Sequence, residues 1–241
     1  MPVPVATWRI QFTKDFQFED GRKLVPYLHR LGISHVYASP IFAARPGSTH
    51  GYDITDPTRI SEALGGREAF EALADELKKH GMGLVLDIVP NHMAAGPDNL
   101  WWMDVLENGP ASRYASFFGI NWNIASEEHG TRIIIPTLGS PYGEVLDRHE
   151  LRLVLEERGF RITYFEHRFP VGPPTWSQIL HSGAEHRPDH SEFTILLETL
   201  ERIPPRTAGY WEAIESGHFE TAGVKQDLWR LYNADEQVRA L

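Results

Sequence analysis

Apolar runs and helical spacing alternate along residues 7–93. The stretch Thr7 to Phe12 predicts a strand, and Leu24, Val25, Leu28 and Leu31 then recur at helical intervals until Gly32. Pro26 falls inside that helix, where it removes one backbone hydrogen bond. Ser34 to Ser39, centred on Val36, Tyr37 and Ala38, predicts a second strand. Phe70, Leu73, Ala74 and Leu77 then mark one face of a second helix, closed by Gly81. The unbroken run Leu84-Val85-Leu86 suits a strand covered on both faces, and Pro90 ends its ladder. This order is the βαβ pattern of a parallel sheet, in which right-handed crossovers bring all three strand ends to one rim. The segment Pro40 to Asp56, between the second strand and the second helix, reads as a long loop.

Beyond His92 the pattern changes. Trp101, Trp102, Phe117, Phe118 and Trp122 make an aromatic-rich segment. Leu151, Leu153 and Leu155 alternate, as do Phe160, Ile162 and Tyr164, so the two runs predict a β-hairpin. Glu157-Arg158-Gly159 reads as its three-residue bulged connection. Pro170 to Pro174 reads as a linker. Phe193, Leu196, Leu197 and Leu200 predict a helix, introduced by Asp189 and Glu192 as a capping box and stopped by Pro204-Pro205. A further helix runs through Val224, Leu228, Leu231 and Val238 with no stop signal before Leu241, which reads as a helix cut in mid-pattern. The divisions expected are thus three βα units over 1–93, an inserted β-containing subdomain over 94–174 and a helical segment over 175–241.

Composition narrows the function classes. With 41% hydrophobic and 11% aromatic residues, the 241-residue chain has ample material for a packed core. Lys plus Arg number 23 against 33 Asp plus Glu, and the net charge of -10 disfavours nucleic acid or an anionic membrane surface as partner. The absence of cysteine excludes disulfides, thiolate metal ligands and a thiol nucleophile. No apolar run approaches the roughly 18 residues of a membrane helix, and the N-terminal residues lack the basic-then-apolar pattern of a secretory signal. A cytoplasmic protein acting on a neutral ligand is therefore expected.

The candidate chemistry sits at the strand ends. Asp87-Ile88-Val89-Pro90-Asn91-His92 places an acid, an amide and an imidazole where the third strand gives out, the usual rim for a barrel active site. The loop after the second strand adds His50-Gly51-Tyr52-Asp53. Aromatic faces pack on the C–H faces of a sugar ring while carboxylate and imidazole pair with its hydroxyls, so this mixture reads as a carbohydrate subsite. His181, His186 and His190 resemble a metal set by count alone, but Pro188 breaks any helix that would align them, and no metal is expected. There is no phosphate-cradling glycine loop and no Gly-x-Ser-x-Gly elbow, and no cofactor is expected.

These residues resemble the α-amylase family of (β/α)8-barrel enzymes. Asp87 to His92 is similar to the first signature region of that family, which is shared widely within it. The narrower motifs Ala38-Ser39-Pro40-Ile41, Arg45 to Asp53, Asp104 to Gly109, Gly139 to Glu144 and Tyr164 to Pro170 resemble its trehalose-forming branch, the maltooligosyltrehalose synthases. The sequence departs from that branch at Gly119 and Asn121, where aspartates are usual, and at Pro57, where a histidine is common.

The resemblance implies an α/β fold: the N-terminal part of a (β/α)8 barrel, about three strands, with an inserted antiparallel β subdomain and a helical segment. It implies intramolecular transglucosylation, moving the reducing-end α-1,4 link of a maltooligosaccharide or linear α-glucan to an α,α-1,1 link. It further implies that His50 and His92 hydrogen-bond the sugar and Tyr52 stacks beneath it. Asp87 orients a rim arginine beyond residue 241, Asn91 braces the turn, and Asp53 hydrogen-bonds at the rim. The nucleophile Asp and acid/base Glu of the family follow later strands, so they too are expected beyond residue 241. This piece is therefore expected to be inactive alone and to have the rest of the barrel as a partner. Two other readings stay open from the residues: a non-catalytic α-glucan-binding protein and an α-amylase-family hydrolase.

Overall fold

The computed structural model describes residues 3–122, 133–182, 191–203 and 221–240. The chain divides into two compact units, Met1–Trp101 and Trp102–Leu241.

In the first unit, β1 (Thr7–Ile10), β2 (His35–Ala38) and β5 (Gly83–Leu86) form a parallel sheet in the order β1-β2-β5. Helices α1 (Phe18–Arg30) and α2 (Gly66–Lys79) supply the crossovers. The predicted strands and helices are all present, and α1 continues through Pro26. Its first turn is fixed by the Gln17 amide, which donates to Asp20 Oδ2 at 3.1 Å, a bond that holds the Asp20 carboxyl below its ordinary range. The core lies between sheet and helices: Ile10, Val36 and Ala38 meet Val25 and Leu28 of α1 and Leu73 and Leu77 of α2. Phe18 is held edge-on between Phe12, at 4.9 Å, and Phe70, at 5.4 Å.

The segment expected to be a loop, Pro40 to Asp56, carries structure of its own. Strands β3 (Phe42–Ala44) and β4 (Ile54–Ile60) pair antiparallel with irregular register, so the His50-Gly51-Tyr52-Asp53 stretch lies in the connection of a hairpin. Pro57 falls within β4 where the register is broken, a position that tolerates a missing donor.

Helix α3 (Leu100–Asn108) carries the chain into the second unit. That unit contains α4 (Tyr142–Asp147) and an antiparallel meander of β6 (Leu151–Glu156), β7 (Gly159–Tyr164) and β8 (His167–Pro170). The helices α5 (Trp176–Ser182), α6 (Ser191–Glu201), α7 (Thr221–Ala234) and α8 (Glu236–Arg239) follow.

Three expectations are corrected here. The hairpin connection has two residues, Glu157 and Arg158, because Glu156 already pairs with Gly159; and β8 adds a third strand. The final helix is not continuous: Asp235 leaves the helical region and its carboxylate accepts from the amides of Gln237, at 2.7 Å, and Val238, capping a new turn. The segments 94–174 and 175–241 do not separate either. Phe160 of β7 packs edge-on against Trp176 of α5, and both belong to one core with Leu196, Leu200, Leu228 and Leu231. Asp189 and Pro204-Pro205, the expected start and stop signals of α6, lie outside the described residues, as do His186 and His190.

Candidate carbohydrate site

The parallel sheet decides which residues reach the rim. Cross-strand register aligns Arg9, Tyr37 and Val85 in one rung. Because side chains alternate along a strand, that rung faces away from the helices that Val36 and Ala38 touch. The ends of β1 and β2 are tied together by Ser39, which is buried: its amide donates to Ile10 O at 3.0 Å and its hydroxyl accepts from the Phe12 amide at 2.9 Å. The Asp87 amide donates to Ala38 O at 2.9 Å, which sets the carboxylate just beyond the end of β5.

The Asp87 carboxylate is the hub of the rim. Its Oδ2 accepts from Arg9 Nη1 at 2.9 Å, Tyr37 Oη at 3.0 Å and Tyr52 Oη at 2.7 Å. Arg9 Nη2 also donates to Gln11 Oε1 and, at 3.3 Å, to the Tyr52 hydroxyl, while its guanidinium lies 4.7 Å from the centre of the Tyr37 ring. The Arg9 hydrogen bond, followed by that of Tyr52, holds the Asp87 carboxyl below its ordinary range. The same contacts push Arg9 up, and the bond to Asp87 raises the Tyr37 phenol. The result is an ionised carboxylate whose Oδ2 is saturated and whose position is fixed from three strands and a hairpin.

Of the residues expected from the sequence, Tyr52 and Asp87 are in direct contact. His50 joins them by stacking on Tyr52, ring centres 5.7 Å apart, and its Nδ1 accepts from the Tyr52 amide. One face of Tyr52 is therefore covered by imidazole. Asp53 faces its own loop, accepting from the Ser48 hydroxyl, with His50 Nδ1 3.9 Å away. Asn91 and His92 are exposed on the connection after β5, where His92 Nδ1 donates to Asn91 Oδ1 at 3.0 Å. Arg9, Gln11 and Tyr37 escaped the sequence reading. The available signal was Arg9 itself, a charge set between Trp8 and Ile10 in a predicted strand. The arginine that Asp87 holds among the described residues is Arg9. Of the set His181, His186 and His190, the described His181 lies 2.8 Å from Glu201 Oε1. Among the described residues no group of three His, Cys, Asp or Glu side chains is placed to hold a metal ion.

Comparison with known proteins gives the family. The family described as alpha amylase, catalytic domain, matches residues 22–145, just over half of the chain. The chain belongs to the α-amylase catalytic-domain family. Within that family, a protein of Mycobacterium tuberculosis strain H37Rv named as a maltooligosyl trehalose synthase is 46% identical over 143 residues, covering 56% of this chain and 18% of that protein. The intracellular maltogenic amylase of Bacillus subtilis strain 168 is 39% identical over 95 residues, covering 39% of this chain and 16% of its own. The solved structure of maltooligosyltrehalose synthase from Arthrobacter ramosus matches 70% of this chain at TM-score 0.61 and 40% identity, and 21% of that chain is covered. The chain therefore spans about a fifth of the length of the relatives it matches.

Proposed function

We propose that this member of the α-amylase family forms the glucan-holding N-terminal side of a maltooligosyltrehalose synthase: three strands of a (β/α)8 barrel carrying part of its reacting subsite. The activity of the whole enzyme is intramolecular transglucosylation, (1→4)-α-D-glucan 1-α-D-glucosylmutase, on maltooligosaccharides. The observation that carries this reading is the Arg9-Tyr37-Tyr52-Asp87 cluster at the strand ends, built in part from the hairpin whose Arg45 to Asp53 stretch resembles the trehalose-forming branch. The cluster orients rather than reacts. Retaining glycoside chemistry needs a nucleophilic carboxylate and a carboxylic acid about 5 to 5.5 Å apart. Here Asp87 Oδ2 is saturated and Asp53 accepts from Ser48. Asp87 offers its second oxygen, and His50 and His92 their outer ring nitrogens, to the hydroxyls of a glucose unit. The face of Tyr52 away from His50 would serve as the stacking surface.

The test is a product assay. Purified chain incubated with maltopentaose should form no non-reducing product and release no glucose. Turnover would contradict the reading and shift the chemistry to other acids such as Glu107, paired with Lys225, or Glu144, paired with Arg148 at 2.8 Å.

A further inference from the structure

A pocket of about 470 Å³ opens beside the rim, between the turn that follows β1, the hairpin and the short helical turn Glu62–Leu64. It lies within the size range of sites for small molecules, roughly 300 to 1,000 Å³. None of His50, Tyr52, Asp53, Asp87, Asn91 or His92 lines it. The two sites nevertheless adjoin: Gly51 lines the pocket, and Tyr52, the next residue, reaches Asp87. Gly51 stands at φ +77°, and a Cβ there would lie 3.2 Å from Pro40 O, so this junction is built for glycine.

The chemistry of the lining selects among ligand classes. Its apolar part includes Phe12, Pro40, Phe42, Ile60 and Leu64. Its charged part has both signs: Lys14, Arg59 and Arg45, the last 3.8 Å from Asp98, together with Asp15 and Glu62. An anion would meet two carboxylates and a cation would meet three bases, whereas a neutral polyol can donate to the acids and accept from the bases while its C–H face covers the apolar floor. Among the described residues the side chains of Lys14, Thr49, Arg59 and Glu62 make no hydrogen bond or ion pair, so their bonding capacity remains open to a ligand.

We propose that this pocket is a second saccharide subsite, which holds a glucose unit flanking the one at the Asp87 rim. The identity of the ligand rests on the proposed function above; the site itself rests on the pocket. The experiment is a titration of the isotope-labelled chain with maltopentaose, followed by amide NMR shifts. The amides of Lys14, Thr49 and Glu62 should shift along with that of Tyr52. Ala63→Trp, which fills the pocket from an exposed position, should weaken the pocket shifts about tenfold or more and leave the Tyr52 response in place. Arg59→Ser, on an exposed side chain, serves as the second variant should the tryptophan disturb folding. Shifts confined to the rim, no shifts at all, or pocket shifts unchanged in both variants would overturn the proposal. In the parent chain, pocket shifts without any response from the amides of Tyr52 and Asp87 would uphold the subsite and sink the rim reading, so the two failures are separable.

Discussion

At the scale of residues, the rim depends on one ion pair. Arg9 is the largest influence holding the Asp87 carboxyl down, and its side chain is more than a third exposed, so the pair serves placement more than stability. The sign is fixed by the depressed folded value. Stabilisation from Asp87 is fully present above the ordinary carboxylate value of about 3.9 and is lost as pH falls through the lower folded value. Arg9→Gln should move the Asp87 titration upward, towards about 3.9, when followed by carboxyl carbon NMR. An unchanged Asp87 titration would show that the tyrosine hydroxyls alone hold the carboxylate. His92 and Asn91 stand apart from this network, bonded to each other on an exposed connection, and so are placed to respond to a ligand rather than to the fold.

At the scale of elements, glycines separate packing from backbone strain. Gly159 opens β7 at φ +104°, and a Cβ there would fall 2.3 Å from the ring of Trp176, which is fully buried. Gly32, after α1, stands at φ +85° with nothing within 4 Å. Gly159→Ala should therefore cost roughly 2–5 kcal/mol through strain and overpacking combined, against about 1–2 kcal/mol for Gly32→Ala, as read by urea unfolding. Equal costs would mean that Trp176 moves aside freely.

The same scale shows what the sequence makes legible. The parallel strands and both crossover helices are visible because unbroken apolar runs and helical spacing report burial directly. The β3–β4 hairpin is not, since β3 has three residues, β4 contains Pro57, and the connection is filled with Pro, Gly and Ser. The four residues of β8 mix charge and aromatics, and the break before α8 depends on one capping aspartate in an otherwise helical spacing. In the site, His50, Tyr52 and Asp87 stand out by local grouping. Arg9 and Tyr37 gain their meaning only from register across three strands, which local spacing does not encode.

At the scale of the whole molecule, the parallel sheet is open at both sides among the described residues. Within the described residues nothing pairs with the outer edges of β1 and β5, and large apolar side chains there are half exposed, Trp8 at 46% and Ile88, just past β5, at 55%. Exposed edges and apolar side chains of this kind fit a sheet that further strands would extend. No described helix is long and apolar enough to cross a membrane. If these strands alone present a saccharide site centred on Asp87 and Tyr52, the chain must bind glucan without the rest of a barrel. Calorimetric titration with maltopentaose decides this, comparing the parent with Tyr52→Ala after both are shown to be folded by circular dichroism. Saturable binding by the parent is expected, with a Kd at least about tenfold weaker in the variant. Equal affinities, or no binding by the folded parent, would contradict it.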